Sequence, residues 1–160
     1  MHSSSMHLRK ISDIVPARLK MIPLERQATK PGPGKWSAKE ELGHLIDSAA
    51  NNHQKIVRAH LDENSPMPGY DGDRWVELHR YQERDWNELV QLWRGCNLQL
   101  AAAAESILEI VRARPSLVNT SAPTMSPFSL DGYLEHMLHH LRHIGVEVED
   151  LLPTRLGPKQ

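Results

Sequence analysis

Between Ser37 and His60 the apolar residues Leu42, Leu45, Ile46, Ala49, Ile56 and Val57 recur at spacings of three and four. Such spacing puts them on one face of a helix and excludes a half-buried strand, whose side chains alternate. The same period returns in Trp86, Leu89, Val90, Trp93, Leu100, Ile107 and Leu108, and again in Tyr133, Leu134, Met137, Leu141, Ile144 and Val148. No stretch alternates as a strand does. The chain is therefore expected to be all-α.

Local signals set the expected ends. A first helix is expected from Ile11 to Leu24, with Pro16 in its first turn, stopped by Lys30-Pro31-Gly32-Pro33-Gly34. Ser37-Ala38-Lys39-Glu40 is a capping box that opens the second helix. Glu40 and Glu41 are assigned to this helix start, where acidic groups favour the dipole. The second helix closes before Asn64-Ser65-Pro66 and Pro68-Gly69. A short helical turn is expected at Asp73–Tyr81, a long helix at Asp85–Val111 and a last helix from Ser129 to Leu152. An irregular link from Arg114-Pro115 to Ser126-Pro127 joins the last two. The small residues Ala101 to Ala104 suit close helix–helix contact. Helices of this number and length fit an antiparallel four-helix bundle with short additional helices. One domain is expected over residues 11–153, with a disordered leader at 1–10 and a flexible tail at 154–160.

Charge and cysteine usage narrow the function. With 19 Lys and Arg against 20 Asp and Glu, the formal net charge is −1, which gives no general attraction to nucleic acid or anionic membranes. No apolar run is long enough to span a membrane. Cys96 is the only cysteine, which excludes disulfide scaffolds and thiolate zinc clusters and suits a reducing, cytoplasmic setting. Within Leu92-Trp93-Arg94-Gly95-Cys96-Asn97-Leu98 it reads as a small packed thiol.

Histidine is the exception to this ordinary composition. There are 10, and His136, His139, His140 and His143 fall within eight residues. Residues four apart share a helix face, so His136 with His140, and His139 with His143, can each converge on one ion. Exposed helix faces carry such pairs too, and the pair alone does not specify a metal. His136 and His140, however, share the stripe of Tyr133, Met137 and Ile144. His44 lies on the inward face of its own helix, beside Leu45 and Ile46. Taken alone, His44 reads as a core histidine bonded to a carboxylate or carbonyl; taken with His136 and His140, a metal becomes the better reading. The pairing of His139 with His143 stays open.

Glu41-Leu42-Gly43-His44 matches the Glu-x-x-His of di-iron bundles, but no second copy occurs, and His-Glu-x-x-His is absent. Three neutral imidazoles would leave an ion its full charge and open positions, as in catalytic zinc-type sites. Imidazole donors discriminate poorly, so zinc, nickel, iron and manganese all qualify. Asp47, one turn after His44, is the candidate catalytic carboxylate, placed to hold a ligand imidazole or take a proton; an exposed or capping role is the alternative. Trp86 and Trp93 read as core, while Trp36 and Trp75 sit near element ends and are candidates for closing a pocket mouth.

Two motifs carry a family resemblance: Pro33-Gly34-Lys35-Trp36-Ser37-Ala38-Lys39-Glu40-Glu41-Leu42-Gly43-His44-Leu45-Ile46-Asp47 and His136-Met137-Leu138-His139-His140-Leu141-Arg142-His143-Ile144. With Tyr70-Asp71-Gly72-Asp73-Arg74-Trp75 and Tyr81-Gln82-Glu83-Arg84-Asp85-Trp86 between them, the chain resembles the DinB/YfiT-like superfamily of metal-dependent enzymes from about Ile11 to Leu152. The resemblance implies a four-helix bundle of up-down-down-up connectivity and a divalent metal on His44, His136 and His140. Many members carry Gln at the place of His143, which is then not a ligand. Characterised relatives include S-transferases and isomerases that use bacillithiol, mycothiol or glutathione. The implied activity is a transferase that activates a low-molecular-weight thiol against an electrophilic small molecule, with zinc or nickel first among the metals. A metal-dependent hydrolase, or a non-catalytic stress-related binder of metal or small ligand, is the alternative. Relatives also form dimers through helix faces, so a homodimer is compatible with the resemblance.

Overall fold

The computed structural model describes residues 2–61, 70–113 and 130–151, and among them there are helices and no strand. In chain order these are α1 (His2–Leu19), α2 (Leu24–Ala28), α3 (Ala38–Leu61), α4 (Gly72–His79), α5 (Trp86–Ala113) and α6 (Leu130–Ile144). Short 3-10 turns occupy Tyr81–Glu83 and Glu149–Leu151. The breakers at 64–69, the link at 114–127 and the tail at 154–160 lie outside the described residues.

α3 begins as its sequence requires. The Ser37 hydroxyl accepts from the Glu40 backbone N–H at 3.2 Å, and the Ser37 N–H donates back to Glu40 Oε2 at 2.8 Å. This is the reciprocal capping box. Glu40 is further held by Lys30 Nζ at 2.8 Å. Asp71 caps α4 by accepting from Arg74 N–H at 3.2 Å, and Asp85 caps α5 by accepting from Glu88 N–H at 3.0 Å.

α1 differs from the expected disordered leader at residues 1–10. Residues 2–10 are the first half of a helix that buries Leu8, Ile11, Val15 and Leu19 at spacings of three and four. Pro16 accordingly lies near the end of this helix and not in its first turn. Distant partners hold the polar start in place. Ser4 Oγ donates to Asp131 Oδ1 at 2.7 Å, the His7 ring contacts the Leu151 carbonyl, and Arg9 pairs with Glu105 through two nitrogens. None of these partners is near in sequence, so the helix carries few local marks.

The last helix stops eight residues short of the expected Leu152. Gly145 takes φ 96°, its N–H donates to the Arg142 carbonyl at 2.9 Å, and Val146 N–H donates to the Leu141 carbonyl at 2.9 Å. That pair of bonds is a Schellman closure, which needs a left-handed residue after the last helical turn. A Cβ at Gly145 would also lie 2.7 Å from Arg26 Nη2. Val146, Val148 and Leu151 nevertheless stay buried.

α3 and α1 both pack on α5, and α6 packs on α3 and α1, closing one hydrophobic core. Trp93 is fully buried there and Trp86 nearly so, the Trp86 indole donating to the Leu19 carbonyl at 3.0 Å. Both therefore belong to the core. Ala101 and Ala104 are fully buried, as small residues at a close crossing should be. No described helix is long and apolar enough to cross a membrane.

Candidate metal centre

α3 enters the core one turn after its cap, so His44 points inward with only 7% of its surface exposed. α6 faces it across the α3–α6 seam and presents His136 and His140 on successive turns. The three residues place one ligand-type nitrogen each within 4.8 Å of the others. His44 Nε2 stands 3.1 Å from His136 Nε2, and the His140 ring centroid lies 4.6 Å from that of His44 and 4.5 Å from that of His136.

The donor set can be compared with an ion's needs. Nitrogens at roughly 2.0–2.1 Å from a tetrahedral ion stand about 3.3 Å apart. The His44–His136 separation is close to that edge, and the His140 nitrogen lies within 4.8 Å of both, so the donor set fits a divalent ion. Burial, then the neighbouring imidazoles His140 and His136, lower the His44 pKa to about 4. Burial, then His140 and His139, lower that of His136 to about 4 as well. Near neutral pH both rings therefore keep a free lone pair, the form a metal accepts.

Glu41 lies in the first turn of α3, as the sequence predicts, and the structure adds a second role to it. The capping role belongs to Glu40 alone. Glu41 is buried, with Oε2 2.5 Å from His140 Nδ1 and Oε1 3.3 Å from His143 Nδ1. A carboxylate on Nδ1 fixes the imidazole tautomer and leaves Nε2 as the free donor, as carboxylates do behind metal-binding histidines. The signal was present in Glu41-x-x-His44, since residues three apart share a face. His44 lacks such support. Its Nδ1 is buried with no hydrogen-bond partner among the described residues, beneath Gly72, where a Cβ would stand 3.2 Å away.

Aromatic rings wall the site. The Trp36 ring lies 4.8 Å from His44 and 6.2 Å from His140, and Tyr70 stacks on His44 at 6.2 Å. Trp75 sits further out, 4.9 Å from Tyr70. It also lines a cavity of about 490 Å³ between α3 and α5, together with Asn51, Leu92, Gly95 and Cys96.

Asp47 is placed elsewhere. Its carboxylate is buried, and Oδ1 accepts from the Tyr81 hydroxyl at 2.7 Å and contacts His79 Nδ1 at 2.9 Å. None of the three site imidazoles is among its hydrogen-bond partners. Burial raises the Asp47 pKa against the opposing pull of Tyr81 and His79. His139 and His143 are exposed on α6, their ring centroids 4.3 Å apart. The pair thus lies outside the converging trio, with His143 still grouped with Glu41 and His140.

No curated protein and no solved structure matches the chain. A family model described as the DinB superfamily matches residues 7–144, from within α1 to the last residue of α6, and encloses all three converging histidines. On that match the chain belongs to the DinB superfamily.

Proposed function

We propose that this chain is a metal-dependent transferase in which His44, His136 and His140 hold one divalent ion, zinc or nickel in the first place. Its four long helices are read as an antiparallel bundle of up-down-down-up connectivity. The substrates are a low-molecular-weight thiol and an electrophilic small molecule, met in the cytoplasm. The observation that carries this reading is the convergence of three imidazole nitrogens from two helices with no carboxylate among them. A divalent ion held by neutral imidazoles draws a thiol into its thiolate form and makes it nucleophilic near neutral pH.

The chain's own groups would do the rest. Glu41 keeps the His140 ring oriented, and burial keeps His44 and His136 unprotonated. Trp36 and Tyr70 form an apolar wall against which an organic electrophile can lie. A hydrolytic reaction would want a carboxylate free to take a proton from water. Glu41 is engaged with His140 and His143, and Asp47 with Tyr81 and His79, which favours the thiol over water.

Elemental analysis of the wild type beside His44→Ala and the double variant His136→Ala/His140→Ala tests the site. About one transition metal per chain, lost in both variants, is expected. Thiol consumption with an aryl halide should then require the metal and vanish in His44→Ala. Metal retained in His44→Ala would remove the main support. A metal-loaded protein inert toward thiols and esters, yet tight for a metabolite, would make it a non-catalytic binder.

A further inference from the structure

The converging trio leaves half of the His136–His143 cluster unused. His139 and His143 lie one turn apart on the outward flank of His140, with ring centroids 5.2 and 5.7 Å from it. Each is exposed. The Glu41 carboxylate reaches His143 from α3 across the seam, so it meets His140 with one oxygen and His143 with the other.

The two Glu41 contacts differ chemically. At 2.5 Å, Oε2 and His140 Nδ1 make a short hydrogen bond and are too close to be two ligands of one ion. At 3.3 Å, Oε1 and His143 Nδ1 make only a long hydrogen bond. The same separation matches the edge, about 3.3 Å, between two ligands of a tetrahedral ion. His139, four residues before His143, is spaced to supply a third donor from the same helix. One carboxylate and two imidazoles would reduce a dication's charge to a single unit, with water completing the shell.

We propose that Glu41 Oε1, His143 and His139 form a second divalent-cation site on the exposed side of α6, joined to the three-histidine site through the carboxylate of Glu41. The two sites share no donor atom, because Glu41 is a ligand through Oε1 in one and a hydrogen-bond acceptor through Oε2 behind the other. The assignment goes beyond the three-histidine reading and can fail separately from it.

Calorimetric titration of chelator-stripped protein with Zn(II), with elemental analysis after desalting, tests it. Two binding events per chain are expected, the outer roughly tenfold or more weaker because its charges face water. His143→Ala and His139→Ala should each lose the weaker event only, with unchanged thermal melts since both residues are exposed. His136→Ala should lose the tighter event only. Glu41→Gln should lose the weaker event and weaken the tighter one. A single event in the wild type, or a second event that survives His143→Ala, overturns the proposal. So does a second event unaltered by Glu41→Gln, which would mean adventitious chelation by a surface histidine pair. If His136→Ala leaves both events intact, the buried-site reading fails instead, and the outer assignment is still decided by His143→Ala.

Discussion

Glu41 Oε2 stands 2.5 Å from Nδ1 of His140, joining α3 to α6 across 99 positions of sequence. This contact decides which nitrogen of His140 is free to face His44 and His136. Glu41→Gln keeps the shape and removes the charge that favours Nδ1–H. Metal affinity, read by competition with a chromogenic chelator, is expected to fall about 10- to 100-fold. An unchanged affinity would mean that His140 is oriented by packing alone.

Asp47 is expected to act on stability and not on metal content. It is buried, and removing it takes from the buried Tyr81 hydroxyl its carboxylate acceptor, leaving the His79 imidazole 3.0 Å away as its partner. Asp47→Ala should lower unfolding free energy by about 1–3 kcal/mol, the worth of a buried hydrogen bond to a charged group. Chemical denaturation and elemental analysis on the same variant separate the two roles. Metal loss with unchanged stability would restore a direct role at the site.

The metal-free protein should lose stability in mild acid. His44 and His136 have folded pKa values lowered to about 4, against about 6.5 when unfolded. Between these values the unfolded chain binds more protons, so stability falls as pH drops from about 6.5 toward 4. Below that window the penalty is complete and the slope from these groups vanishes. Thermal melts across the range should show the decline, and His136→Ala should flatten it. A flat profile in the wild type would mean the two rings open to solvent without unfolding.

Gly43 is set by a neighbour and not by its backbone angle. A Cβ there would fall 2.1 Å from Tyr81 Cδ2, inside the ring that holds Asp47. In an open helix, Gly→Ala would stabilise by up to about 1 kcal/mol. Here Gly43→Ala should destabilise by about 1–3 kcal/mol through overpacking. Urea midpoints settle the sign.

Cys96 is half-buried, and burial followed by the Asp47 charge raises its pKa. Alkylation by iodoacetamide at neutral pH should run well below the rate of a free cysteine, since only thiolate reacts. Cys96→Ser should leave metal binding and thiol turnover unchanged. Rapid alkylation coupled to loss of turnover would instead make Cys96 part of the chemistry.

The helical class, the start of α3 and the inward aim of His44, His136 and His140 were legible because they depend on local causes. Periodicity fixes a face over one or two turns, and the Ser37–Glu40 box closes within four residues. Gly145 also acts locally, and its Schellman turn marks the true end of α6 even though apolar residues continue past it. Other features had no local mark. α1 starts among serines and is held by Asp131, Glu105 and Leu151, so only the folded chain shows it as a helix with a buried face. Glu40 and Glu41 are adjacent and alike in sequence, yet one closes a helix and the other grips His140. Their 100° separation around the helix axis is a local fact, but what stands opposite each is not. Asp47, equally plausible beside His44 by spacing, faces Tyr81 and His79 instead. Periodicity determined which side chains turn inward; the packing of α3 against α6 decided which of them meet, because partners across a helix seam are set by where two rigid helices cross and not by either helix alone.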